Sequence, residues 1–191
     1  MSNIYKRRNI VLGFHGGDKD TLVKIILRSE PDLKTSKNSY DWLGDGVYFW
    51  LNDPIRAKIW AEEQCAKGKC KEPFVIGAVI DLGNCLDLST QEDIRAIQLA
   101  YEQLDKLGNI TVSNVHPDEG GFSLKRELDC MVINYACAVI EKTDPSREVD
   151  TVIGYFEEGG KAYPGAAFSK KTHAQICVRK QCQILGYFIP K

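Results

Sequence analysis

The sequence predicts an α+β fold, because strand-like and helix-like segments are grouped along the chain instead of alternating. Apolar runs typical of strands occur near the start, in the middle and at the end, and amphipathic segments fall in two groups between them. A doubly wound parallel sheet would need regular alternation of strands and helices, which the sequence lacks. The chain has 191 residues and no interdomain linker, so we expect residues 1–191 to form a single domain.

Short apolar runs, bounded by glycine or polar residues, predict the strands. They lie at 8–15, 47–51, 74–82, 149–156, 173–179 and 182–188. Amphipathic segments predict helices at 17–30, 54–68, 90–108 and 122–138. The run at 74–82 is the longest, so it predicts a central strand that is buried on both faces. Asp53 followed by Pro54 is typical of a helix start, because Asp accepts from the free amides and Pro needs no donor there.

Composition and charge are typical of a soluble cytoplasmic protein. Hydrophobic residues make up 43% of the chain and charged residues 27%. No apolar run approaches the ~20 residues of a membrane span, and the apolar stretch near the N-terminus is too short for a signal peptide. We therefore expect a cytoplasmic location and no membrane partner. The net charge of −1 gives the whole chain no electrostatic footprint for nucleic acid, but a local basic patch stays open.

The seven cysteines are scattered, and several lie within apolar runs. Their odd number and their positions favour reduced thiols in a cytosolic protein. Cys65 and Cys70 lie close together in the sequence, but the sequence has no second pair of ligands that would complete a zinc site with them. We therefore expect no metal site.

Three short segments place polar or aromatic side chains within a predicted strand or at its end. They are 13–17 (GFHGG), 43–50 (LGDGVYFW) and 173–178 (HAQICV). Because side chains alternate along a strand, Tyr48 shares a face with Gly46. Gln175 shares a face with His173 for the same reason. Glycine beside a polar residue lets a flat ligand approach the backbone, so these segments predict a pocket for a planar amide.

The three segments resemble the diphtheria-toxin-like and poly-ADP-ribose-polymerase-like branch of the ADP-ribosyltransferases. The signature of that branch is His, Tyr and Glu on three separated strands. Its HG motif matches His15-Gly16, its GxGxYF motif matches 44–49, and the head of its third strand matches Gln175, where the family has Glu. The resemblance implies an ADP-ribosyltransferase-like split antiparallel β-sheet core with flanking helices. It also implies NAD as co-substrate.

The resemblance and the strand faces together supply the candidate site residues. The catalytic candidates are His15, Tyr48 and Gln175, and the NAD-binding candidates are His15, Gly16, Gly46, Tyr48, Trp60 and His173. By resemblance, His15 would hydrogen-bond the adenosine ribose and the Gly16 backbone would bind the carboxamide. Tyr48 would stack on nicotinamide, and Gln175 would hold the reacting ribose. Trp60 lies at about the right distance for the second aromatic that sandwiches nicotinamide, and it is equally suited to the core.

Gln175 departs from the family pattern at the position of the transferase carboxylate. A carboxylate polarises the ribose hydroxyl and stabilises the positive charge that develops as nicotinamide leaves, whereas a neutral amide can only hydrogen-bond. We therefore expect transfer of single ADP-ribose units and no chain elongation. Glu157 and Glu158 border the long loop before the third motif, and either could act as acid, base or acceptor-orienting group.

The leading functional hypothesis is an NAD-dependent mono-ADP-ribosyltransferase of the toxin or effector kind. It would transfer ADP-ribose to a protein or nucleic-acid acceptor and release nicotinamide. Expected partners are the acceptor macromolecule and an antitoxin or immunity protein. An RNA 2′-phosphotransferase-like enzyme is an alternative, although no Arg stands in the first two motifs. A non-catalytic NAD or ADP-ribose binding module is another, which the Gln175 change keeps open. Basic residues around the third motif could face nucleic acid or an acidic protein, or be solubilising surface: Lys170, Lys171, Arg179 and Lys180.

Overall fold

A computed structural model describes residues 9–29, 32–114 and 125–191. Within these residues it has seven strands and four α-helices, which confirms the α+β class. In chain order they are β1 (Ile10–Asp18), α1 (Lys19–Ile26), β2 (Val47–Leu51), α2 (Pro54–Ala66), β3 (Pro73–Asp81), β4 (Cys85–Asp87), α3 (Gln91–Lys106), α4 (Glu127–Thr143), β5 (Thr151–Phe156), β6 (His173–Val178) and β7 (Ile184–Phe188). Two short 3₁₀ turns occupy Pro145–Arg147 and Gln181–Gln183.

The strands form one sheet in the order β4-β5-β6-β2-β1-β3-β7. All neighbours are antiparallel except β4 and β5, which are parallel, so the sheet is mixed. The antiparallel pairing expected for the sheet core is therefore wrong at this edge. A parallel pair needs a long crossover, and here α3 and α4 provide it. The sequence analysis missed β4 because three residues are too few to show a strand period.

The prediction that 74–82 forms the central strand is wrong. The corresponding β3 is next to the edge strand β7, and β2 occupies the centre of the sheet. An apolar run indicates that a strand is covered on its faces, and it carries no information about the order of strands. Both α1 and α2 contact β3, which explains its apolar character.

Element boundaries differ from the predictions at two places that matter for the site. β1 extends three residues beyond the predicted end at His15 and pairs with β3 as far as Asp18, so His15 lies inside the strand. α4 runs from Glu127 to Thr143, later than the predicted 122–138, of which 122–124 lie outside the described residues.

The start of α2 agrees with the sequence signal. The Asp53 side chain accepts a hydrogen bond from the Arg56 amide at 2.8 Å, and Pro54 occupies the first helical position. This cap fixes the direction in which α2 leaves the central strand β2.

Helices cover both faces of the sheet. On one face, α1 contributes Leu22 and Ile25 to a core with Phe49, Ile76 and Ile80. On the other face, α2 packs near Phe14 and Trp50, while α4 packs on β5 and β6 and carries α3 on its outer side. The middle of this second face, over β2 and β6, lies between α2 and α4.

Cys65 and Cys70 are joined by a disulfide, contrary to the expectation that all the thiols are reduced. Cys85, Cys130, Cys137, Cys177 and Cys182 are free. Spacing in the sequence could not reveal the bond, because the turn after α2 is what brings the two cysteines together. None of the helices in the described ranges combines the length and apolar character that a bilayer crossing requires.

Candidate functional site

A cavity of about 500 Å³ lies between α2 and the chain that leads into α4. This volume is in the range of small-molecule sites, roughly 300–1,000 Å³. The cavity brings together five of the seven predicted site residues: His15, Gly46, Tyr48, Trp60 and Gln175. They come from β1, from β2 and the residue before it, from α2 and from β6, which are distant in sequence.

His15 lies where the ladder between β1 and β2 ends. Those strands pair at only two positions, the last being Phe14 with Trp50. Beyond that pair, His15 Nδ1 lies 2.8 Å from the Tyr48 backbone carbonyl oxygen. A carbonyl oxygen only accepts, so Nδ1 carries the proton. Burial lowers the pKa of His15, so the ring is neutral near pH 7 and Nε2 can accept a hydrogen bond from a ligand.

Tyr48 offers its ring to the cavity while its hydroxyl is engaged in the turn before β2. The hydroxyl donates to the Gly44 carbonyl at 2.7 Å and accepts from the Leu43 amide at 2.9 Å. Burial raises the pKa of Tyr48 above its usual value, so the phenol stays protonated. The aromatic face is therefore the part of Tyr48 that can contact a ligand.

The glycine frame of Tyr48 has a steric cause. A Cβ on Gly46 would lie 2.3 Å from Cys177 Sγ, so a side chain there would push β6 away from β2. Gly44 has a φ of +78°, a conformation that side chains disfavour. Gly44 and Gly46 thus hold β2 tightly against β6, which brings Tyr48 and Gln175 to the same cavity.

The position of Trp60 is compatible with both roles considered for it. Its ring is 5.9 Å from that of Trp50 at an angle of 49°, and it joins the aromatic packing between α2 and the sheet. It is also partly exposed and lines the cavity. Packing holds the ring in place and leaves part of it available to a ligand.

Gln175 is held by His173, two residues earlier on the same face of β6. His173 Nδ1 lies 2.7 Å from the Lys171 carbonyl oxygen, so Nδ1 carries the proton. Burial lowers the pKa of His173, which leaves Nε2 as an acceptor. Gln175 Nε2 lies 3.1 Å from it and donates. This bond orients the Gln175 amide, so His173 is a positioning residue.

Two predicted site residues do not line the cavity. The His173 ring is buried behind Gln175, with the Trp42 ring 6.3 Å away and the Phe156 ring 5.8 Å away. A Cβ on Gly16 would lie 2.1 Å from the Ala57 carbonyl oxygen, so Gly16 allows α2 to approach β1. A backbone contact between Gly16 and a ligand stays a prediction.

Glu158 lines the cavity, whereas its neighbour Glu157 does not. Glu157 accepts from the Ser169 hydroxyl at 2.9 Å on the exposed side of the loop. Glu158 Oε2 is 2.5 Å from Arg56 Nη2, and the two side chains retain 12% and 6% of their exposure. Of the two acidic residues left open by the sequence, Glu158 is therefore the one that lines the same cavity as Gln175.

Sequence reasoning missed Arg56. Its guanidinium lies 5.6 Å from the centre of the Trp50 ring, and its Nε and Nη1 have no hydrogen-bond partner among the described residues. Arg56 and Trp60 are four residues apart on α2, a spacing that puts them on one helix face. That spacing was the available signal.

The rim of the cavity consists of residues from three loops that the sequence analysis did not connect. Lys34, Ser36, Asn38 and Tyr40 come from the loop before β2, Lys67 and Lys69 from the turn after α2, and Lys125 from the segment before α4. The Ser36–Gly46 bridge closes the first loop. Loops carry no periodic signal, so their convergence depends on the fold.

Among the described residues, no group of three or more His, Cys, Asp or Glu side chains could hold a metal ion. The cavity instead combines aromatic surface, the neutral hydrogen-bonding side chains of His15 and Gln175, and the buried Arg56–Glu158 ion pair. A scan against protein-family models, a search of curated proteins and a search of solved structures each found no match to this chain.

Proposed function

We propose that this protein is an NAD-dependent mono-ADP-ribosyltransferase. The observation that carries the proposal is the meeting of His15, Tyr48 and Gln175 at one cavity of suitable size. His15 and Tyr48 match the first two strand motifs of the resembling family, and Gln175 stands at the position of the third motif's Glu. The three residues are separated by long stretches of sequence. The short ladder between β1 and β2 also supports a split sheet of that family's type, because the two halves join through only two residue pairs.

The side chains suit the parts of NAD in turn. The Tyr48 ring provides a stacking surface for nicotinamide, and the adjacent Trp60 adds a second aromatic. The free Nε2 of His15 can accept from a ribose hydroxyl. Gln175, oriented by His173, can hydrogen-bond the ribose that reacts.

Transfer breaks the bond between C1′ of that ribose and the nicotinamide nitrogen, and the electron pair leaves with nicotinamide. The acceptor atom then bonds C1′ and gives up a proton. Gln175 cannot stabilise the positive charge on C1′ as a carboxylate would. In this proposal the Glu158 carboxylate supplies the negative charge and accepts the proton, while Arg56 holds it in place.

Nicotinamide release on mixing with NAD tests the proposal. We expect release by the wild type, and loss of NAD binding in Tyr48→Ala. The matched control is Tyr155→Ala, since Tyr155 is 55% exposed on β5 and does not line the cavity. Binding of NAD without release, in the presence of a cell lysate as acceptor source, would instead identify a binding module.

A pair of neighbouring variants tests the carboxylate. Glu158→Gln keeps the size of the side chain and removes its charge, so release should fall by at least about tenfold. Glu157→Gln should leave it unchanged, because Glu157 is outside the cavity. Glu158→Gln also leaves the Arg56 charge buried, so thermal unfolding must establish that the variant is folded. Equal rates in the two folded variants would exclude Glu158.

Arg56 is the specific observation that favours an RNA 2′-phosphotransferase as second candidate. Sequence reasoning counted against that activity because the first two motifs contain no Arg, and Arg56 now lies at the cavity with two unpaired nitrogens. An enzyme of that kind would release nicotinamide only when a 2′-phosphorylated oligoribonucleotide is added. Release without such RNA would exclude it.

A further inference from the structure

The cavity is positively charged on a protein whose net charge is −1. Five cationic and two acidic side chains line it, a net charge of +3: Lys34, Arg56, Lys67, Lys69 and Lys125 against Asp41 and Glu158. The positive charge is thus concentrated at the candidate site.

Three of these lysines form no ion pair within the part of the chain that the structure describes. Lys34, Lys67 and Lys69 are exposed and have no acidic partner there. Two of the lysines near the third motif differ. Lys171 pairs with Glu63, and Lys180 pairs with Glu148 and Asp150. Two of the four basic residues around the third motif are therefore paired with acids, whereas the three rim lysines have no such partner in the part of the chain that the structure describes.

The buried wall of the cavity also contains groups that lack a partner. Arg56 is 5% exposed and Trp50 is 6% exposed, and both line the cavity. Arg56 Nε and Nη1 and Trp50 Nε1 are buried donors that lack a partner within the described ranges. Buried donors are nearly always satisfied in folded proteins, so these three indicate a ligand rich in acceptor atoms.

A disulfide constrains one part of the basic rim. The Cys65–Cys70 bond closes the turn that carries Lys67 and Lys69, and Gly68 between these lysines adopts the positive φ of +73° in that turn. Tyr40 is on the opposite loop of the rim and is 42% exposed. Exposed aromatic surface beside a basic groove is the combination that binds single strands, because bases stack and phosphates pair with cations.

NAD by itself does not account for the charge. Its pyrophosphate carries two negative charges, fewer than the three rim lysines that have no acidic partner among the described residues. Resting on the proposed function, we propose that the rim formed by Lys34, Lys67, Lys69 and Tyr40 binds single-stranded nucleic acid, which is the acceptor of ADP-ribose. A nucleophilic oxygen or nitrogen of the strand bonds C1′ as nicotinamide leaves, and its proton passes to Glu158.

Fluorescence anisotropy with a labelled single-stranded oligonucleotide, without NAD, tests the binding step. Each phosphate contact to a single strand adds about 0.7 to the salt slope, so three contacts predict a slope near −2. Lys67→Ala/Lys69→Ala should then weaken binding about 25-fold at 0.1 M salt. The matched control is Lys58→Ala/Lys106→Ala, which removes two exposed helix lysines outside the cavity and should bind like the wild type.

Labelled NAD tests the transfer step, with an oligonucleotide and an acidic polypeptide offered as separate acceptors. Label in the oligonucleotide, reduced in Lys67→Ala/Lys69→Ala, supports the inference. Label in the polypeptide alone, or equal oligonucleotide binding by both double variants, overturns the nucleic-acid inference. If nicotinamide is still released in that case, the proposed function stands. Oligonucleotide binding through Lys67 and Lys69 without any nicotinamide release would overturn the proposed function and keep the nucleic-acid site.

Discussion

Replacing Gln175 by Glu introduces the carboxylate of the resembling family next to the His173 ring. Gln175 Nε2 donates to His173 Nε2 over 3.1 Å, and a carboxylate has no proton to donate there. His173 would respond by binding a proton, since a negative partner raises its pKa. In the variant, the net stabilisation of the developing cation by the new carboxylate therefore depends on whether His173 is charged.

The magnitude follows from the two charges. A carboxylate about 5 Å from the developing cation stabilises it by about 3 kcal/mol at an effective dielectric constant of ~20, which is more than about 100-fold in rate. A charged imidazole about 3 Å further away opposes this by about 2 kcal/mol. The gain is then about 1 kcal/mol, or about fivefold. We therefore expect the advantage of Gln175→Glu over the wild type to grow as the pH rises and His173 loses its proton.

The assay is nicotinamide release across a pH series, with thermal unfolding to verify that each variant is folded. Gln175→Ala should be slower than the wild type. Adding His173→Asn to Gln175→Glu keeps a donor for the Lys171 carbonyl and removes the titrating group, so the large gain should appear at every pH. If wild type, Gln175→Glu and Gln175→Ala release nicotinamide equally at all pH values, Gln175 does not contact the reacting ribose, and we would abandon the transferase assignment for a binding module.

Three further predictions concern the same site and its supports. Tyr48→Ala should weaken NAD binding by about 1–3 kcal/mol in titration calorimetry. Tyr48→Phe should bind NAD normally, but its free energy of unfolding should be lower by about 1–3 kcal/mol, because only the two hydroxyl hydrogen bonds are lost. Weak NAD binding by Tyr48→Phe would contradict these separate roles of ring and hydroxyl. His15 and His173 have lowered pKa values relative to 6.5, so the unfolded chain takes up more protons as the pH falls below about 6.5, and the free energy of unfolding should drop by up to about 1.4 kcal/mol per pH unit for each ring. Urea unfolding should show a shallower acid dependence for His173→Asn, and an unchanged slope would refute a neutral buried His173. Cys65→Ser/Cys70→Ser should lower the unfolding free energy by about 2 kcal/mol and weaken oligonucleotide binding, since the loop closed by the bond is short but carries the basic turn; identical stability under oxidising and reducing conditions would argue against the bond.

Much of the candidate site could be predicted from local sequence. His15, Tyr48 and Gln175 stand in strand motifs, and a strand's period of two residues states which neighbours share a face. The glycines at 44 and 46 indicate that another strand approaches closely, but they do not show which one. The structure identifies that strand as β6. Short-range signals of this kind need no knowledge of the fold.

Arg56 and the rim lysines were not predictable in the same way. An Arg in a helix and a Lys in a turn are usually solvated, and nothing in their neighbourhood distinguishes a buried or unpaired one. Their roles depend on which segments α2, the loop before β2 and the start of α4 meet after folding.

The sequence by itself determined the α+β class and the capped start of α2, and it predicted the strand-borne residues of the candidate site. Each of these depends on periodicity, capping or a motif within a short segment. Tertiary structure alone decided that His173 stands behind Gln175 and that Glu158 and not Glu157 lines the cavity. It also decided that the lysines of two loops meet no acidic partner among the described residues. These are contacts between distant segments, and long-range pairing is set by the packing of the whole sheet and its helices.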